Sequence, residues 1–426
     1  MIDKILEVTN LFKASRQVER NKGACGIDGM KTTELSAFIA ENRSEILEII
    51  SKNGYVPNSI LGVMIPKGKD KTRLLGIPTV VDRWLQQAVN QQLMVQFEYD
   101  FEPFSFGFRP KKNIQKAVLQ AQQYINNGYQ DIVDIDLKGF FDEVDHCILL
   151  QLIYRKVKCR TTMRLIRKWL RAPILINGKL QKRRKGIPQG SPISPLLSNI
   201  MLDVLDKEME KRGLLYVRYA DDFSMYAKTK REAKQIGNIV FIFLRDELKL
   251  PINRAKSGIR RPVNFELLGH GFVPIYKKGV KGQYQLVVAK KSWEKFKRNL
   301  KSITKKTKPI SVSERLERLN QVCRGWMNNY RLTSIYAKVK KLDEWLRNRL
   351  RYCIWHDWKK LERKRKNLIR LGIDNGQAYA WSRTRMGGWA VAQSPILKTT
   401  ITKSRLKRRG YKPLVDYINN SQISIW

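Results

Sequence analysis

Tyr219-Ala220-Asp221-Asp222 sets two adjacent carboxylates between two apolar runs, in a chain that is otherwise heavily basic. The flanking runs, 214–217 and 223–227, have the aromatic and branched content of strands, so the acidic pair reads as the tip of a β-hairpin. Carboxylates side by side repel unless they share a cation, and a hard divalent ion such as Mg²⁺ takes oxygen ligands of this kind. A solvated Asp-Asp turn is the plainer reading of an isolated dipeptide. A second acidic site upstream argues against it. In Asp131-Ile132-Val133-Asp134-Ile135-Asp136-Leu137, Asp134 and Asp136 alternate with Val133, Ile135 and Leu137, so one strand carries carboxylates on one face and apolar side chains on the other. If this strand lies beside the hairpin, an Asp from each element can hold two metal ions, an arrangement that stabilises both the attacking and the leaving oxygen of an in-line phosphoryl displacement.

A third element lies between the two. Gly186-Ile187-Pro188-Gln189-Gly190-Ser191-Pro192 is a loop punctuated by Pro and Gly that leads into the apolar stretch 196–202, which reads as a turn followed by a helix. The order of strand Asp, Pro-Gln-Gly loop and Tyr-Ala-Asp-Asp hairpin resembles the palm of a reverse transcriptase. Further segments extend the likeness to the group II intron-encoded reverse transcriptases. They are Asn21-Lys22-Gly23-Ala24 with Gly26-Ile27-Asp28-Gly29, Ile65-Pro66-Lys67 with Arg73 and Gly76-Ile77-Pro78, and Ser105-Phe106-Gly107-Phe108-Arg109-Pro110. Arg324-Gly325-Trp326-Met327-Asn328-Asn329-Tyr330-Arg331 is similar to the signature of their maturase, or thumb, domain.

The resemblance implies an α+β fold: a right-hand polymerase whose fingers and palm carry antiparallel sheet, then a helical thumb/maturase domain and a small basic C-terminal domain. The expected divisions are 1–110 for N-terminal extension and fingers, 111–275 for palm, 276–360 for thumb and 361–426 for DNA binding. The implied activity is RNA-directed DNA synthesis, with the chain also assisting the splicing of its parent intron RNA. Asp136, Asp221 and Asp222 are then the catalytic, metal-holding residues, for two Mg²⁺ ions with Mn²⁺ as a substitute. Phe141, five residues beyond Asp136, resembles the aromatic gate beneath the sugar of an incoming dNTP. Lys67, Arg73 and Arg109 are placed at the triphosphate, where guanidinium and ammonium groups pair with phosphate oxygens. Pro188, Gln189 and Gly190 pack against the nascent base pair, and Lys256 sits near the leaving group or stays a solvated charge.

Composition agrees independently. With 83 Lys+Arg against 38 Asp+Glu and a net charge of +45, the chain suits a polyanionic partner, and nucleic acid is the usual one. From Tyr276 onward there are about 38 basic and about 9 acidic residues, roughly +29, so the C-terminal third is the most basic part. That third also holds Trp293, Trp326, Trp345, Trp355, Trp358, Trp381, Trp389 and Trp426, which suits either base stacking or the core of a basic domain. The pattern over 342–358 predicts a thumb helix with Leu342, Trp345, Leu346, Leu350, Cys353 and Ile354 near one stripe and Arg347, Arg349 and Arg351 mostly off it. Those three arginines, with Lys22, Arg324 and Arg331, are the expected RNA contacts. The partners expected are intron RNA, an RNA template with a DNA primer or target, and dNTPs.

Five cysteines and three histidines show neither Cys-x-x-Cys spacing nor a paired zinc pattern, so the thiols are expected free and buried in a reducing cytoplasm or nucleoid. The chain stops without the His- and Cys-bearing endonuclease domain that many relatives carry, and the expectation is that it does not cut its own target strand. No signal peptide opens it and no apolar run approaches membrane-spanning length, so no membrane partner is expected. Two other readings share these residues: an RNA-binding splicing cofactor that does not use its polymerase site, and a reverse transcriptase recruited to defence or DNA repair. The intact trio Asp136, Asp221 and Asp222 favours a working polymerase.

Overall fold

A computed structural model describes residues 1–66, 72–276 and 281–422, the last four as backbone. The chain divides into two compact units, Met1–Arg261 and Pro262–Trp426.

The first unit is built on two four-stranded sheets. In one, Thr72–Ile77 pairs antiparallel with Ile60–Pro66, which pairs parallel with Ile174–Ile176, itself antiparallel to Lys179–Gln181. The other is antiparallel throughout, in the order Leu215–Tyr219, Asp222–Ala227, Asp131–Asp136, Gly258–Arg260. Its alternation is the one that the sequence predicts: Val133 and Ile135 lie in the hydrophobic core while Asp134 and Asp136 stand half-buried on the opposite face. The core beneath is filled by helices. Val80–Glu98 contributes Trp84, whose indole N–H donates to the Leu11 carbonyl at 3.0 Å, and Ser194–Lys211 buries Leu196, Leu197, Met201 and Leu202. That second helix begins with Pro195 in its first turn, where the missing N–H has no intrahelical partner to lose.

The second unit opens with a three-stranded antiparallel sheet, Glu266–Leu267, His270–Pro274 and Tyr284–Val288, and continues as helices. Lys290–Ile303, Val312–Asn329 and Tyr336–Asp357 are the longest. Phe296 stacks on Trp326 at 4.2 Å between centroids, Trp355 is buried, and Trp293, Trp345, Trp358, Trp381 and Trp389 pack around the same core. The tryptophans of the basic third are thus largely core residues. Trp426 lies outside the described residues. All five cysteines are free, but only Cys323 and Cys353 are buried; Cys147 is exposed, which corrects the expectation that all are buried. No helix among the described residues is long and apolar enough to cross a membrane.

Candidate active site

The register of the acidic sheet brings two of the three candidate carboxylates together. Asp136 is paired with Asp222 across the antiparallel strands, and Asp222 is paired in turn with Tyr219 across the hairpin, so the three side chains share one face. Asp221 belongs to the turn itself, beside Ala220, which adopts a left-handed conformation at φ 57°. A non-glycine residue there must be held in place.

What holds it is a buried charge network that the sequence reading missed. Arg218, 0% exposed, forks onto Asp206 with Nε to Oδ1 at 2.7 Å and also donates to Asn199 Oδ1 at 3.0 Å and to the Ala220 carbonyl at 3.1 Å. Asn199 Nδ2 donates to the Gly107 carbonyl at 2.9 Å. Gly107 lies so close to Ala220 that a Cβ would collide with its backbone. The segment Ser105-Phe106-Gly107 therefore buttresses the turn, tied by Phe106 N–H to the Arg218 carbonyl at 2.8 Å. An arginine inside an otherwise apolar strand was the available signal, because a buried guanidinium requires an acidic partner.

Asp136 is held from the segment 251–257. Asn253 Nδ2 donates to its Oδ2 at 2.9 Å, Ser257 Oγ accepts from its N–H at 3.0 Å, and Lys256 Nζ lies 3.2 Å from Oδ2. Lys256 thus sits on the carboxylate, as a cation would, while its side chain stays exposed. Asp134 is engaged separately by Arg260, Nε to Oδ2 at 2.7 Å; burial raises its pKa from the ordinary carboxylate range, against the pull of Arg260. Among the described residues no three His, Cys, Asp or Glu side chains are gathered as a ready-made metal cage. The donors on this face are nonetheless the hard oxygens that a Mg²⁺-like cation takes, one or two from carboxylates and the rest from water and substrate phosphates.

The Pro-Gln-Gly loop ties the first sheet to the short helix Phe140–Glu143, which follows the acidic strand, and to the helix Ser194–Lys211. Gly76 N–H donates to the Gln189 carbonyl at 2.7 Å, Ile187 N–H to Phe141 O at 2.6 Å, and Ser194 Oγ to Pro188 O at 2.6 Å. Gly190, at φ 117°, passes so near the Gly76 carbonyl that a side chain would not fit. Arg73 Nε donates to Gln189 Oε1, which joins two of the expected nucleotide-binding residues. Phe141 is 8% exposed, edge-on to Phe140 at 5.2 Å. Lys67 lies outside the described residues. Arg109 corrects the expectation for it. Its side chain is 5% exposed and its guanidinium is engaged by the Glu98 carboxylate at 3.0 Å and by the carbonyls of Glu102, Ser105 and Phe101, so it braces the fold and has no fork to offer a triphosphate.

The expected RNA contacts divide. Lys22, Arg324 and Arg331 are exposed. Arg347 pairs with the buried Asp343, which also accepts from Tyr411 Oη at 2.5 Å. Arg349 donates to the Thr304 carbonyl at 2.6 Å and lies over the rings of Trp345, Tyr352 and Trp389. Arg351 is buried, donating to Ile401 O at 3.0 Å and Asn348 Oδ1 at 2.7 Å. Arg351 is buried within its own unit, which corrects the expectation that it lines a nucleic-acid surface, while Arg347 and Arg349 are half-buried and engaged by their own unit. Position off the apolar stripe did not mean full exposure, because Trp389 lies against Arg349 and the Ile401 carbonyl receives Arg351.

Two family models match the chain: a reverse transcriptase (RNA-dependent DNA polymerase) over residues 65–272 and a group II intron maturase-specific domain over 293–372. Protein YkfC of Escherichia coli (strain K12) is 30% identical over 305 residues, 62% of this chain and 80% of that protein. The group II intron-encoded protein LtrA of Lactococcus lactis subsp. cremoris is 36% identical over 230 residues, 53% of this chain but 38% of LtrA. Among solved structures, a partial Cas6-RT-Cas1--Cas2 complex matches at 24% identity and a TM-score of 0.35, over 57% of this chain and 42% of that one, too loosely to add to the argument. With a reverse-transcriptase module around the acidic sheet and a maturase-specific module after it in sequence, the chain belongs to the group II intron-encoded reverse transcriptases.

Proposed function

We propose that this reverse transcriptase copies intron RNA into DNA from a DNA primer or target and assists the splicing of the same RNA. The carrying observation is the pairing of Asp136 with Asp222 on one sheet face, beside the braced turn that presents Asp221. Divalent-metal dependence is general to reverse transcriptases. In the finer reading Asp136, Asp221 and Asp222 hold two Mg²⁺ ions, for which Mn²⁺ can substitute; when bound they favour the deprotonated primer 3′-hydroxyl and offset the charge gathering on the α-phosphate and pyrophosphate.

The chain's own residues do the rest. Arg73, with Lys67, presents donors to the triphosphate, and its contact with Gln189 couples that grip to the loop beneath the nascent base pair. Pro188 and Gly190 fix the course of that loop, and Phe141 lies under the sugar, where its ring excludes a 2′-hydroxyl. Lys256 neutralises Asp136. In the divisions proposed, 1–110 are N-terminal extension and fingers, 111–275 palm, 276–360 thumb and 361–426 a DNA-binding domain. Lys22, Arg324 and Arg331 contact RNA phosphates, and the five free cysteines suit a bacterial cytoplasm or nucleoid.

The test is primer extension on an RNA template with Mg²⁺. Asp136→Asn and Asp221→Asn should each abolish extension while RNA affinity stays near wild type. Either variant extending at more than a small fraction of the normal rate refutes the role given to that residue.

A further inference from the structure

The helix Arg160–Arg171 carries a row of arginines that DNA synthesis leaves unexplained. Arg160, Arg164, Arg167 and Arg171 recur at spacings of four, three and four, which sets them on one face over three turns. The opposite face, with Thr162, Leu165, Ile166 and Trp169, is buried. All four arginines are exposed, and none has an ion-pair or hydrogen-bond partner among the described residues. Lys168 in the same helix behaves differently, turning inward to the carbonyls of Asn53 and Tyr55 at 2.9 and 2.5 Å.

The row borders a groove of about 680 Å³ shared with the helix His146–Val157, whose His146, Cys147 and Tyr154 help to line it. Neither helix contains an acidic residue. Elsewhere the chain relieves cationic crowding on helices with acids one turn away, as in Lys207–Asp203, Arg318–Glu314 and Arg347–Asp343. Like charges at this spacing destabilise a helix, so a row of four with no internal acid is a surface prepared for an external anion. A mixed-sign solvated face would have carried the missing Asp or Glu.

We propose that this groove binds the phosphodiester backbone of folded RNA, as a site separate from the template and primer at Asp136 and Asp222. The row spans about 16 Å, enough to meet several phosphates with guanidinium forks that match phosphate oxygens. Tyr154, 52% exposed, adds an aromatic face against which a looped-out base can stack. The choice of RNA over DNA rests on the maturase reading above, since the maturase-specific domain belongs to proteins that work with intron RNA.

The experiment compares wild type with Arg164→Gln/Arg167→Gln and, independently, Arg160→Gln/Arg171→Gln. Binding to a structured RNA and to a DNA hairpin of the same sequence is measured against salt, with circular dichroism to confirm folding. Each double variant should bind RNA roughly tenfold more weakly at physiological salt, with a log–log salt slope shallower by about two. Arg164→Lys/Arg167→Lys should restore most of the slope. Extension of a short pre-annealed primer–template at saturating concentration should stay at the wild-type rate. Unchanged RNA affinity and slope in both variants, with wild type binding normally, overturns the site but not the maturase reading. Wild type failing to bind RNA overturns both. Equal loss on DNA overturns the assignment to RNA, and a parallel loss of short-duplex extension overturns the separation from the active site.

Discussion

Asp136 and Asp222 face each other across two antiparallel strands, and Lys256 lies 3.2 Å from the Asp136 carboxylate on the same side. The ammonium supplies part of the positive charge that two opposed carboxylates require. In the proposed mechanism a divalent ion held by Asp136 would compete with Lys256 for the same oxygens. Lys256→Gln should lower the Mg²⁺ concentration that half-saturates primer extension, and in chelator it should lower Tm, because Asp136 is then left uncompensated. A fall in kcat with an unmoved Mg²⁺ titration would place Lys256 at the leaving group instead.

Phe141 is buried except for a narrow edge, and its carbonyl fixes the start of the Pro-Gln-Gly loop. Phe141→Ala should admit ribonucleotides, lowering the ratio of kcat/KM for dNTP over rNTP substantially. If discrimination holds while Tm drops, Phe141 is a packing residue only.

Asp203 offers a test of stability against pH. Burial raises its pKa to about 6, in spite of Lys207 at 2.5 Å, and its Oδ1 has no partner. The folded state thus binds a proton more tightly than the unfolded chain, so this group's contribution is full below the unfolded value near 4 and is lost as pH rises to about 6. Asp203→Asn should flatten stability across that window and gain up to roughly 3 kcal/mol at pH 7, the linkage energy of a carboxyl raised from its ordinary value to about 6. Denaturant melts of both proteins from pH 4 to 7 decide it; parallel curves would show that Asp203 does not contribute.

Arg351 is expected to act on stability and not on RNA affinity. Arg351→Met leaves the buried Ile401 carbonyl and Asn348 Oδ1 without their donor, at about 1–3 kcal/mol for each unsatisfied group. Thermal denaturation should show the loss, and RNA binding by the folded fraction should keep its salt slope. Arg324→Gln/Arg331→Gln should do the reverse, leaving Tm in place and flattening the slope by about two. A flattened slope in Arg351→Met would return that arginine to the RNA surface.

Which side chains share a face was legible from local sequence alone. The alternation of Asp134 and Asp136 with Val133 and Ile135, and the Tyr-Ala-Asp-Asp tip between two apolar runs, are local patterns whose periods survive in any fold that buries the apolar side. The motif order then specified the palm. Partners about 90 to 120 residues apart are set by tertiary packing: Lys256 on Asp136, Asn199 on Gly107 and Arg73 on Gln189 come together through packing of whole elements. Charge was the least legible property. A net +45 counts cations without saying which ones the protein itself satisfies, and Arg109, Arg218, Arg349 and Arg351 are all engaged inside while Arg160, Arg164, Arg167 and Arg171 are left open. The physical reason is that a buried guanidinium is tolerable only with carbonyls or a carboxylate around it. Whether those acceptors are present depends on which elements close over the arginine, and no local pattern encodes that.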